Sequence, residues 1–237
     1  AEPIVQSPVI VALDFDTKLE AMELVRQLGA DSGFYKVGLQ LLTQEGPSIV
    51  RELVVMGKEV LLDLKLHEIP NSITGAVEAA GKLGASMVTV HASGGSAVLK
   101  AAVAASAPYP RLKILALTVI TSLSDRDLPE VGLPPSVEQQ VDLLARLAVR
   151  CGCHGVVASA QEAARLSKSV PAGMLIVTPG IQLRGAAGND QVQVATPAFA
   201  RESGATHVVI GRSITKASEP RDAFAEALAG MQHPSGA

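Results

Sequence analysis

Between Asp63 and Glu68 the chain reads Asp-Leu-Lys-Leu-His-Glu, which crowds two carboxylates, an ammonium and an imidazole into a single short stretch. The residues before it, Glu59-Val-Leu-Leu, form a short apolar run that fits a strand buried on both faces, and Pro70-Asn71 stops it. Residues two apart in a strand share a face. Asp63 and Lys65 therefore point the same way at the strand's carboxyl end, and Glu68 falls in the loop beyond. A second lysine, Lys36, lies within the run Phe34 to Val37. Alternating lysines and carboxylates favour the charged form of each partner, which argues against a Schiff-base lysine. A cationic Lys65 beside a fixed carboxylate suits stabilising a carbanion and then handing it a proton. The same carboxylate would repel an anionic substrate group that leaves as a neutral product. These features suit decarboxylation. By spacing alone they serve a metal-assisted aldol or isomerase reaction equally well, and a surface ion-pair cluster is the plain structural alternative.

The elements that must carry these residues alternate along the whole chain. Strand runs are expected at Val9 to Leu13, Phe34 to Val37, from Glu59, Met87 to Val90, Leu112 to Thr118, Gly155 to Ala158, Met174 to Val177 and His207 to Ile210. Helical spacing fills the intervals, including Thr17 to Leu28, Glu45 to Met56, Ile73 to Leu83, Val137 to Cys151 with Ser136 as its cap, Gln161 to Ser167, a helix opening at Thr196-Pro197, and Pro220 to Gly230. Eight strand–helix pairs with no long insertion predict an α/β chain folded as a single (β/α)8 TIM barrel domain over residues 1–237. An open doubly wound sheet is the competitor, but it would carry a Gly-rich phosphate turn after its first strand, where this chain has Asp14-Phe-Asp-Thr.

Barrel closure would gather the strand tips, so Asp14, Lys36, Asp63, Lys65, His91, Ser122 and Arg212 become one constellation. The loop after the seventh strand and the Gly211-Arg212 turn after the eighth lie where barrels hold phosphate, which points to a small phosphorylated substrate. His67 and His91 read as structural hydrogen-bonding residues, since a lysine already supplies the proton.

Composition excludes several classes. The formal net charge is −3 and aromatic residues are 3% of the chain with no Trp, so neither a basic field nor stacking platforms suit nucleic acid. No apolar run reaches the roughly 18 residues of a membrane span. Cys151 and Cys153 are too close for an unstrained disulfide and have no ligand set around them. A cytoplasmic enzyme is the simplest expectation.

Asp63-Leu-Lys65-Leu-His67-Glu68-Ile-Pro70-Asn71 resembles the DLKFHDIPN signature of the orotidine 5′-monophosphate decarboxylases. Val11 to Phe15, Lys36 to Gly38, Val90 to Gly95, Leu117 to Ser122, Thr178 to Ile181, Asp190-Gln191 and Ile210 to Ile214 match the same family in order and spacing. The resemblance implies a homodimer that converts orotidine monophosphate to uridine monophosphate without a cofactor or metal. By that match Lys65 would protonate the ring carbon, Asp63 would press on the leaving carboxylate, and Lys36 would order Asp63 and the ribose. Asp14 would bind ribose hydroxyls, Ser122 the pyrimidine, and Gly211 with Arg212 the phosphate. Glu68 and Ser72 would reach into the partner's site.

The chain also departs from the pattern. Glu68 stands where the family has Asp, and one added methylene in a packed charge network predicts altered activity, since a misplacement of about 1 Å can cost roughly a hundredfold. Leu66 replaces Phe and Leu39 replaces Lys. Gln182-Leu-Arg184-Gly replaces Arg-Pro-x-Gly, so either Gln182 or Arg184 is available to close over the phosphate, with residues 182–190 as the closing loop. A Mg-dependent sugar-phosphate decarboxylase or aldolase of the same barrel group, and a catalytically impaired nucleotide-binding barrel, are the competing readings.

Overall fold

The computed structural model describes residues 7–183 and 195–232. In chain order the elements are β1 (Val9–Ala12), α1 (Lys18–Leu28), β2 (Phe34–Gly38), α2 (Leu39–Glu45), α3 (Ser48–Val55), β3 (Glu59–Leu66), α4 (Pro70–Leu83), β4 (Met87–His91) and α5 (Ser96–Ser106). They continue with β5 (Lys113–Leu117), α6 (Val137–Arg150), β6 (Gly155–Val157), α7 (Ala160–Ser169), β7 (Leu175–Thr178), α8 (Pro197–Glu202), β8 (His207–Ile210), α9 (Arg212–Thr215) and α10 (Pro220–Met231). The strands pair in parallel in sequence order, and β8 closes on β1 through Val9↔Val208 and Val11↔Ile210. The expected TIM barrel is what the chain forms.

Strand alternation divides the core into two. Ile10, Ala12, Phe34, Leu61, Met87, Leu115, Val177 and Val209 point inward and fill the barrel. Their neighbours in sequence, among them Val11, Tyr35, Leu62 and Val88, point outward against helical residues such as Leu28, Leu53, Val77 and Leu144. The narrow interior demands small residues in places: a Cβ on Gly155 would lie 2.6 Å from Leu175 Cβ and 2.8 Å from Leu115 Cδ2.

Caps fix where the helices begin. Ser136 accepts from the backbone N–H of Gln139, as expected, and Thr17 caps its helix in the same way by accepting from Glu20 N–H. Most boundaries shift by a residue or two, and three differences from expectation have a local cause. The helix expected over Glu45 to Met56 starts only at Ser48, because Gly46 takes φ 71° and Pro47 restarts the chain, and a separate helix, α2, that carried no expectation precedes the break. Helix α4 begins at Pro70 rather than Ile73, since proline is tolerated at the first helical position. Gly211-Arg212-Ser213 is not an open turn but the entry to α9. Helix α5 carried no expectation, because its Ala-rich sequence has little contrast between faces.

Candidate active site

The inward face that packs the barrel below becomes polar at its carboxyl end. Two residues beyond Ala12 is Asp14, two beyond Phe34 is Lys36, two beyond Leu61 is Asp63, and two beyond Met87 is Thr89. The period-2 pattern that buries the core thus delivers these four side chains to one mouth. Asp14 Oδ1 lies 3.8 Å from Lys36 Nζ, Lys36 Nζ 3.6 Å from Asp63 Oδ2, and Asp63 Oδ2 2.7 Å from Lys65 Nζ. The charges form a chain that alternates in sign. Burial, the largest influence on Asp63, would raise its pKa. The hydrogen bond and charge of Lys65, the Thr89 hydroxyl and the charge of Lys36 together outweigh it and hold the carboxyl below its ordinary value.

Lys65 does not follow Asp63 by simple alternation. The β3–β4 register runs from Leu62↔Val88 to Leu66↔Val90, so four steps along β3 meet two along β4 and the strand bulges between them. Inside the bulge Lys65 has φ 46°, and it is the one non-glycine residue with positive φ among those described. That conformation costs roughly 1–2 kcal/mol and aims the ammonium back onto Asp63. Thr89, only 2% exposed, pins the bulge: its Oγ1 accepts from Lys65 N–H at 2.9 Å and donates to Asp63 Oδ1 at 2.8 Å. Sequence reasoning missed Thr89, although a lone hydroxyl on the inward face of Met87-Val-Thr-Val was a signal. His91 closes β4 with its ring centroid 5.2 Å from that of His67. Burial, then the charges of His67 and Lys65, lower its pKa, against the opposing pull of Asp63.

The second part of the mouth is a cleft of about 580 Å³ lined by Asp14, Gly180, Ile181, Gln182, Gly211, Arg212, Ser213 and Lys216. Gly180, at φ 71°, turns the chain after β7 into this cleft. Lys216, four residues after Arg212, was not anticipated; its Nζ lies 5.8 Å from the Phe15 ring centroid. A larger hollow of about 790 Å³ lined by Lys58, Arg111 and Gln232 sits at the amino ends of the strands, the end that barrels use for stability rather than chemistry.

The other expected residues lie apart from the charged chain. Glu68 is exposed and its Oε1 accepts from Ile69 N–H at 2.7 Å, and Ser72 is exposed in the first turn of α4. Ser122 is exposed in the turn after β5. Arg184, the Asp190-Gln191 pair and most of the 182–190 segment lie outside the described residues.

Charged side chains converging on the carboxyl ends of eight parallel strands define a barrel enzyme. Its family follows from comparison. The profile of the orotidine 5′-phosphate decarboxylase / HUMPS family matches residues 7–227, and the chain belongs to that family. It is 45% identical over 219 residues to the orotidine 5′-phosphate decarboxylase of Alcanivorax borkumensis, covering 92% of this chain and 95% of that one. It is 46% identical over 226 residues to the enzyme of that name from Laribacter hongkongensis, covering 95% and 93% respectively. The crystal structure of orotidine 5′-phosphate decarboxylase from Lactobacillus acidophilus superposes with a TM-score of 0.86 at 35% identity, over 96% of this chain and 100% of that one.

Proposed function

We infer that this protein decarboxylates orotidine 5′-monophosphate to uridine 5′-monophosphate, the last step of de novo pyrimidine nucleotide synthesis. The observation that carries the inference is the contact of Lys65 Nζ with Asp63 Oδ2 at 2.7 Å, a proton donor held against a buried anion in the barrel mouth. On this reading the substrate carboxylate lies against Asp63. Breaking the bond from C6 to that carboxylate releases neutral carbon dioxide, removes the repulsion between two anions, and leaves the electron pair on C6. The Lys65 ammonium stabilises the pair and then donates its proton to C6. No step calls for a cofactor.

Lys36 orders Asp63 and the ribose, Asp14 takes ribose hydroxyls, and Ser122 meets the pyrimidine. Gly211 and Arg212 hold the phosphate, with Gln182 or Arg184 closing over it. Enzymes lower barriers by about 8–23 kcal/mol, and a carbanion without resonance stabilisation needs the upper part of that range, so binding energy from the remote phosphate must contribute.

The same reading gives a homodimer in which Glu68 and Ser72 complete the partner's site. Ile69 and Leu39 support it: both are large and apolar, they are 64% and 57% exposed, and they follow the adjacent strands β3 and β2 on one rim. A cytoplasmic, nucleotide-binding enzyme with a single barrel domain and no nucleic-acid or membrane partner completes the picture. Among the described residues no helix is long and apolar enough to cross a membrane.

The test is the loss of orotidine monophosphate absorbance on adding the purified protein with a metal chelator present throughout. Rapid loss is the expected result. Nucleotide binding without turnover would instead mark an impaired site, and turnover of a sugar phosphate that stops when the chelator is added would favour the Mg-dependent reading.

A further inference from the structure

We propose that Thr89 is a positioning residue that couples the backbone of Lys65 to the carboxylate of Asp63, so that proton donor and anion face the substrate as one unit. The proposal rests on the decarboxylase reading.

The two groups are tied twice. Directly, Lys65 Nζ meets Asp63 Oδ2 at 2.7 Å. Indirectly, Lys65 N–H donates to Thr89 Oγ1 at 2.9 Å, and Thr89 Oγ1 donates to Asp63 Oδ1 at 2.8 Å. A hydroxyl has one proton to give. With Lys65 N–H fixed as a donor to Oγ1, that proton goes to Oδ1, and the direction of the relay is set.

Charged and titratable groups face the carboxylate from the elements around it: Lys65 from β3 itself, Lys36 from β2 with Asp14 behind it, and His91 from β4. Both lysines are within reach of Oδ2, which leaves Oδ1 to the hydroxyl. The same hydroxyl satisfies the N–H that the bulge removes from the β3–β4 ladder, and so holds Lys65 in its left-handed conformation at φ 46°. Thr89 itself is fixed, being 2% exposed within a paired strand. Valine has nearly the same shape without the proton. T89V therefore leaves both Oδ1 and the Lys65 N–H unpartnered with little change in packing.

The experiment compares wild type, T89V and T89S for kcat with orotidine monophosphate, affinity for uridine monophosphate, and melting temperature. Uridine monophosphate has no carboxylate to set against Asp63, so a positioning role leaves its binding alone. We expect kcat of T89V to fall roughly ten- to a hundredfold with product affinity within about twofold of wild type, and T89S to recover to within about threefold. Wild-type kcat in T89V would overturn the proposal, as would equal loss of kcat and product affinity, or a T89S as slow as T89V. If T89V does not fold, T89C serves, since a thiol is a weak donor: a loss like that expected of T89V supports the relay, and activity equal to T89S overturns it. A wild-type protein that leaves orotidine monophosphate intact overturns the decarboxylase reading, and this one with it.

Discussion

Lys36 is paired in register with Leu61, not with Asp63, yet its Nζ lies 3.6 Å from Asp63 Oδ2. The side chain therefore runs up the barrel interior by the rise of two residues before it meets its partner. Its stem packs where an apolar residue would, and its charge sits where two carboxylates converge, since Asp14 Oδ1 is 3.8 Å away on the other side. A shorter cation could not span that gap, and an apolar residue would leave Asp14 and Asp63 facing each other.

Replacing Lys36 by Met keeps the stem and removes the charge. Asp63, buried to 11% side-chain exposure, would keep Lys65 as its one cationic partner. K36M is expected to lose about 1–3 kcal/mol of stability and about a hundredfold or more in kcat. Urea unfolding and steady-state turnover check the two effects separately. An active K36M would mean that the lysine only fills space.

The alternating barrel and most of this cluster were legible because both follow from local rules. Apolar runs mark buried strands, and period-2 spacing carries Asp14, Lys36 and Asp63 from the packed interior to the mouth. Lys65 was placed on the right rim for an incomplete reason, since simple alternation does not foresee a bulge or a positive φ. Those depend on Thr89 in the next strand, and a pairing between strands 26 residues apart leaves no local signature. Lys216 escaped notice for a similar reason: only the short helix α9 puts it beside Arg212 in the cleft. The Glu45 to Met56 helix was started too early because its apolar spacing outweighed the Gly46-Pro47 break at its head.

Arg212 offers the cleft a planar fork of N–H donors matched to phosphate oxygens. R212A is expected to lower kcat/KM for orotidine monophosphate about a hundredfold or more, while turnover of orotidine, which has no phosphate, stays unchanged. R212K recovers only part of the loss, because an ammonium cannot bind two oxygens side by side. Comparing the nucleotide with the nucleoside settles the assignment. Equal losses on both would move Arg212 out of the phosphate site.

Acid stability should depend on a histidine outside the site. His207 points into the barrel near its floor, 5% exposed, with its ring in a T-shaped contact with Phe34 and Nδ1 2.8 Å from Thr206 Oγ1. Burial pushes its pKa down to about 4. The unfolded chain takes up that proton near pH 6.5, so the folded state keeps its full advantage above 6.5 and loses it as pH falls toward 4. Between pH 7.5 and 4.5 the wild type is expected to lose about 2–3 kcal/mol more than H207Q, which has no proton to gain. Urea midpoints at the two pH values measure this. His91 and His154, whose pKa values are also lowered mainly by burial, contribute in the same direction and remain in both proteins.

The proposed sharing of the site between protomers makes its own prediction. In one protomer Glu68 turns back to the N–H of Ile69, is exposed, and stands apart from the Asp14–Lys36–Asp63–Lys65 chain. If the Glu68 carboxylate serves the partner, E68A inactivates the site across the interface and K65A inactivates its own. Neither homodimer then works. A hybrid dimer has one site with its own Lys65 and a Glu68 donated by the K65A chain. Refolding the two inactive proteins together at equal concentration makes half the dimers hybrid, each with one intact site, and should restore roughly a quarter of wild-type activity. No recovery, with hybrid dimers shown to form, would place Glu68 outside the partner's chemistry. E68D alone tests the added methylene: a gain in kcat would show that the longer side chain slows this enzyme.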